Sequence, residues 1–241
     1  MTALSIVQTA ASWLALPQPT TLFGSNLDPQ TTQLVSLLNL EEVEQWSVGD
    51  VWWRKLLRQW TFTSLAADIQ PPSAVPDDLG YIIANTMWDR TITRPVVGPL
   101  SPEVWQAWKA RPVLTSVLYG FRLRGNDFLT APNPPTGDTV AYEYISNLSV
   151  YATGDTVPTK QYFTADTDTS VFPETMLEMG VRWRFLRAKG LDYAQEYKDW
   201  SDMRQRFSAR DKAMPTLSAA GPSWPSLAGP FVPNFSFPGP S

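Results

Sequence analysis

Charge stops at Lys212. The segment that follows, 213–241, holds seven prolines and four large aromatics, Trp224, Phe231, Phe235 and Phe237, and no charged side chain. Proline removes backbone donors and favours extended conformations, so this segment cannot build a helix or a central strand of its own. An ordinary disordered tail is polar and charged; here rings replace charge, a trade that points to docking onto another protein.

The chain upstream of that point is long enough to bury a substantial core, and 11 tryptophans in the whole sequence support one. Net charge is −4, with lysine and arginine spread along the sequence. No basic face of the kind that grips a nucleic acid backbone is legible, so sequence-specific DNA binding is not expected. Cysteine and histidine are both absent. Disulfides, thiolate metal sites, the usual zinc ligand sets, the Ser-His-Asp and Cys-His nucleophile systems and the commonest general base are thereby closed. No cofactor and no metal are expected. The first 27 residues are uncharged, but they lack a basic start, and their apolar run of about 14 residues is too short for a membrane span. The chain reads as soluble and unexported, with no membrane contact.

Capping signals and apolar spacing predict six helices, over residues 3–16, 28–58, 77–90, 101–111, 173–189 and 192–211. Leu4, Val7, Ala11 and Leu14 share one face of the first, and Pro17 stops it. Asp28-Pro29 supplies a cap and a first-turn proline for the second. Ser101-Pro102-Glu103 repeats that arrangement for the fourth, where Trp105 and Trp108 read as core packing. Leu79, Ile82, Ile83 and Met87 recur at helical spacing after Asp77 and Asp78. Gly190 closes the fifth helix, and Asp192 caps the sixth in an αα-hairpin. Trp60 and Phe62 alternate with threonines as a strand. From Val117 the period is two: Tyr119, Phe121 and Leu123, a Gly125-Asn126 turn placing Leu123 opposite Phe128, then Val140, Tyr142 and Tyr144. These three runs predict an antiparallel meander between residues 117 and 148.

Among candidate chemical groups, Asp166-Thr167-Asp168-Thr169-Ser170 begins like a calcium loop, but Val171 and Leu177 occupy the positions that need glycine and a bidentate glutamate. It reads as a turn and helix cap. Glu41, Glu42 and Glu44 on one helix read as a solvated face rather than as paired catalytic acids. Arg182, Arg184, Arg187 and Lys189 crowd the end of a helix, where cations offset its dipole and can also touch a partner.

Four runs together resemble a known family: VQTAASWLALPQPTTLFGSNLDPQTTQLVSLLN (7–39), NTMWDRTITRPVVGPLSPEVWQAWK (85–109), YGFRLRGNDFLTAPNPPTGDTVAYEYIS (119–146) and FTADTDTSVFPETMLEMGVRWRFLRAKGLDYAQEY (163–197). In order and spacing they are similar to the head-to-tail adaptor proteins of tailed bacteriophages, the tail-tubular-A-like connectors of short-tailed phages. The resemblance implies a structural virion protein of the neck, assembled in the host cytoplasm and not an enzyme. It implies a ring of about twelve copies beneath the portal protein, closed by one heterologous interface. Such a ring joins the portal to the tail nozzle protein and lets genomic DNA pass without sequence-specific binding. The tail aromatics Trp224, Phe231, Phe235 and Phe237 would anchor to the portal, and Arg182, Arg184 and Arg187 would contact the ring neighbour or portal. Two departures stand out: the stretch from Glu41 to Arg58, with Trp46, Trp52 and Trp53, and the long proline-aromatic tail. The alternatives are a phage peptidoglycan hydrolase, which would need an acid pair opening to a cleft, and a generic scaffold binding through its tail.

The expected class is therefore α+β, a mainly helical bundle with an inserted small antiparallel β region and an extended proline-rich tail. Four regions are expected: 1–116, helical with one short strand; 117–150, the meander insertion; 151–212, a linker and αα-hairpin completing the bundle; and 213–241, a docking tail.

Overall fold

A computed structural model describes residues 2–48, 53–110 and 119–211. Five α-helices form among the described residues: α1 (Ala3–Trp13), α2 (Pro29–Ser47), α3 (Pro102–Lys109), α4 (Glu174–Ala188) and α5 (Ala194–Asp211). Their starts follow the sequence signals. Asp28 accepts from Gln30 N at 3.2 Å with Pro29 in the first turn. Ser101 accepts from Val104 N at 3.3 Å with Pro102 behind it. Asp192 accepts from Ala194 N at 3.1 Å, and Gly190 takes the positive φ of 70° that ends α4.

The strands overturn the expected class. β1 (Leu57–Thr63), β2 (Leu79–Ile82), β3 (Trp88–Asp89), β4 (Arg94–Pro95) and β7 (Thr139–Ser146) make one five-stranded antiparallel sheet. β5 (Gly120–Arg124) and β6 (Asp127–Ala131) form a separate hairpin, and β8 (Val150–Tyr151) pairs with β9 (Thr169–Ser170). The chain is not a mainly helical bundle carrying a small β insertion. It is α+β with a sheet that draws strands from residues 57–95 as well as from 139–146.

The hairpin keeps the expected register, Leu123 opposite Phe128. The meander does not form, because β7 leaves β6 and becomes the centre of the larger sheet, paired with β1 on one side and with β2 and β3 on the other. A central strand is covered on both faces, which is why Ala141 and Ile145 are buried as fully as Val140, Tyr142 and Tyr144.

The helix expected over 77–90 is also absent; β2, a turn and β3 stand there. The three-residue step from Leu79 to Ile82, both packed in one core, comes from a bulge. Leu79 opposes Ser146 while Tyr81 opposes Ile145, so two residues advance along β2 for one along β7. Gly80 lies in that irregularity, where a Cβ would come within 2.7 Å of the Ile145 carbonyl oxygen. Asn85, at φ 64°, then turns the chain. Asp78 caps no helix: it accepts from Arg58 at 2.8 Å, from the Tyr144 hydroxyl at 2.7 Å and from Ser146 Oγ at 2.7 Å, tying β1 to β7. The helix expected over 28–58 likewise ends at Ser47, and β1 begins at Leu57.

Two cores result. One packs α1, through Ile6, Val7 and Ala10, against Leu34 and Leu38 of α2 and Met176, Leu177 and Val181 of α4. The other is an aromatic cluster between sheet and hairpin, in which Phe128 meets Phe62 edge-on at 5.2 Å and stacks on Phe121 at 5.4 Å. Ile145 and Leu56 belong to the helical core, so the sheet and the helices share packing.

Candidate functional site

The densest polar chemistry of the described residues lies where α2, α4 and α5 meet. Glu41 and Glu42 are both 0 % exposed, which reverses the expectation of a solvated glutamate face. Glu41 Oε1 accepts from Gln45 Nε2 at 2.6 Å and from the Trp200 indole at 2.8 Å, and its Oε2 accepts from Arg184 Nε at 2.8 Å. Arg184 reaches Glu44 as well, at 2.7 Å, and lies 4.4 Å over the Trp183 ring. One carboxylate thus joins α2 to both helices of the hairpin. Burial pushes the Glu41 carboxyl upward, and Arg184, Trp200 and Gln45 pull it back.

Gly180 makes this contact possible. A Cβ there would overlap Glu41 Cδ and fall 2.6 Å from Cγ, so α4 can approach the carboxylate only where it has no side chain. An interior helix glycine costs about 1 kcal/mol against alanine, and close approach is what it provides. That was the signal available in the sequence for a buried acid facing α4.

Glu42 has a different setting. Ser170 Oγ lies 2.8 Å from each of its oxygens, and no salt bridge to Glu42 forms among the described residues. Burial pushes its carboxyl up to about 8, against the Ser149 and Ser170 hydroxyls and with the added push of Glu41's charge. Glu42 is therefore protonated at neutral pH. A protonated carboxyl can donate to Ser149 Oγ, which has no other partner among the described residues.

The remaining expected site residues divide. Arg184, 8 % exposed, is turned inward and occupied by two glutamates. Arg182 pairs with Glu196 at 2.6 Å and lies 4.5 Å over the Trp13 ring, fastening α4 to α5 and α1. Arg187 alone of the three is exposed, in the last turn of α4. Trp224, Phe231, Phe235 and Phe237 lie outside the described residues. Sequence reasoning did not anticipate the foot of α5, where Arg54 N donates to Asp211 Oδ2 at 2.6 Å. Asp166 and Thr167 form a turn, with Asp168 accepting from Thr164 N, Ala165 N and Lys160, while Thr169–Ser170 continue as the strand β9 rather than as turn. The 166–170 stretch caps no helix, since α4 starts from Pro173 without a side-chain cap. Trp105 is core, as expected.

Among the described residues no three acidic side chains gather to hold a metal, and no helix is long and apolar enough to cross a membrane. What the arrangement does is mechanical: it ties α2 to both helices of the hairpin. The class this defines is a braced α+β structural module. The SU10 adaptor protein family matches residues 1–229, and the chain belongs to that family. It is thus a head-to-tail adaptor of tailed bacteriophages, a structural component of the virion. No curated protein matches it.

Proposed function

We propose that copies of this chain close into a ring of about twelve, joining the portal protein above to the nozzle protein below in the neck of a short-tailed phage. Genomic DNA passes through the lumen without sequence-specific binding, and assembly takes place in the host cytoplasm. The net charge of −4 supports the reading, because a surface of like charge lets DNA slide without sticking. The observation that carries it is the lock: Glu41 of α2 binds Arg184 of α4 and Trp200 of α5, Asp211 at the end of α5 accepts from Arg54 N, and the sequence from Ala213 onward is charge-free and rich in rings. Trp224, Phe231, Phe235 and Phe237 are then the portal anchors, since buried aromatics dominate interface energetics, and Arg187 is a polar contact to the ring neighbour or portal.

The test is to mix the purified chain with purified portal and image the product. Particles with a ring on the portal are expected, and removal of residues 213–241 should weaken or abolish them. Unchanged binding by the truncated chain refutes the anchoring role. A peptidoglycan hydrolase has no support from the acid pair, because Glu41 and Glu42 are closed off inside the helices rather than facing a cleft. A clearing band in zymography would overturn the purely structural reading.

A further inference from the structure

We propose that the groove at the foot of α5 is a docking site for an acidic segment of another protein, which seats one large apolar side chain between Trp53 and Phe207. The groove holds about 280 Å³ and is lined both from α5 and from the stretch around the short 3-10 turn Arg54–Leu56. Trp53, Val171 and Phe207 give it an apolar floor, and Lys55, Arg210 and Asp211 give it a charged rim. Its form is fixed without an occupant. The Trp53 indole donates to the Gln45 carbonyl oxygen at 3.1 Å, and its ring meets Phe172 edge-on at 5.1 Å. On the other side, Arg54 N donates to Asp211 Oδ2 at 2.6 Å, which fastens the turn to the end of α5. Walls already held in place lower the ordering cost of binding.

Charge identifies the occupant. The whole chain carries −4, yet the exposed cations Arg54, Lys55, Arg206 and Arg210 gather at this end of α5. None of their side chains makes an ion pair or a hydrogen bond among the described residues, and Asp211 is the acid that stands with them at the rim. Arg206 and Arg210 are four residues apart on α5, a spacing at which like charges repel. Cations in a last helical turn offset the helix dipole, but Arg54 and Lys55 stand on another element, so the dipole accounts for neither. Carboxylates from a partner neutralise both sets at once. The apolar floor between them takes a single side chain, because the volume lies below the roughly 300–1,000 Å³ of small-molecule sites. An apolar anchor in a pocket ringed by charge is the arrangement that carries binding energy at protein interfaces. A nucleic acid fits less well: Trp53 is 4 % exposed, so its face is closed to a stacking base.

An NMR titration of the isotope-labelled full chain with the capped peptide Asp-Glu-Phe-Glu-Asp tests this. The amides of Lys55, Phe207, Arg210 and Asp211 should shift together and saturate. The same peptide with alanine in place of phenylalanine should bind at least about tenfold more weakly, the loss expected for an anchor side chain. The Lys55→Glu/Arg210→Glu variant should lose saturation; both side chains are exposed and unpaired among the described residues, and far-UV circular dichroism checks that its fold persists. Absence of saturable shifts at these amides overturns the proposal. Equal binding of the two peptides overturns it as well, since charge alone would then explain the contact, and so do the same shifts produced more strongly by a short oligothymidylate. Shifts of these amides on dilution, or on removal of residues 213–241, with no peptide present would give the groove to a second copy or to the chain's own end and overturn the partner assignment. No portal takes part, so failure here leaves the portal reading standing, and loss of portal binding leaves this one standing.

Discussion

Replacing Gly180 by alanine sets two opposing effects against each other. Helix propensity favours the change by about 1 kcal/mol. Against it, the new Cβ would overlap Glu41 Cδ and sit 2.6 Å from both Cγ and Oε1, so the glutamate must leave its position. Its departure breaks the bonds from Arg184, Trp200 and Gln45, leaving Arg184 with Glu44 alone and the Trp200 indole without an acceptor. Breaking a buried ion pair by displacing one partner costs about 3–5 kcal/mol. The net expectation is a loss of about 2–4 kcal/mol, a large share of a typical stability of roughly 5–15 kcal/mol. Urea denaturation should show a lower midpoint with an unchanged slope, and the melting temperature should fall by roughly 5–15 °C for a domain of this size. A double-mutant cycle sharpens the test. With Glu41→Ala already in place the steric conflict is gone, and Gly180→Ala should become stabilising by up to about 1 kcal/mol. If Gly180→Ala alone proved neutral or stabilising, Glu41 could step aside freely and the lock would not exist.

Two further outcomes follow from acids bonded within the fold. Glu42 has a folded-state value of about 8 against an ordinary 4.5, so between those limits the folded chain holds a proton that the unfolded chain has released. Stability should therefore fall as pH rises from about 5 to 8, by up to about 1.4 kcal/mol per unit from this group, and level off above. Urea midpoints measured across that range should flatten in Glu42→Gln; a slope unchanged by the substitution would refute the assignment. Asp78→Ala should cost about 2–4 kcal/mol in the same assay, because it strips the acceptor from Arg58, the Tyr144 hydroxyl and Ser146 Oγ. A loss below about 0.5 kcal/mol would show that these groups are satisfied elsewhere.

Local chemistry carried the reading wherever a residue's neighbours in sequence are also its partners in space. The caps at Asp28, Ser101 and Asp192, the stop at Gly190 and the 123–128 hairpin register are of this kind. The errors share the opposite cause. Glu41 and Glu42 look like a solvated helix face because nothing nearby in sequence neutralises or accommodates them; Arg184, Gly180 and Trp200 stand on α4 and α5, at the far end of the domain's sequence. Leu79 and Ile82 stand three apart, as in a helix, because a bulge against β7 adds one residue to a strand, and that bulge exists only once β7 is its neighbour.

By itself, then, the sequence determined the kind of chain this is: free of cysteine and histidine, mildly acidic, with helical starts and stops written in local caps and with adaptor-like runs in order. Tertiary structure decided the rest. It made β7 a central strand rather than the last of a meander, turned Glu41 and Glu42 from an expected surface into the interior, and paired Arg184 with Glu41 and Glu44. The physical reason is range: capping and turn energies act across a few residues, whereas strand pairing and the burial of charge depend on partners that only the folded chain brings together.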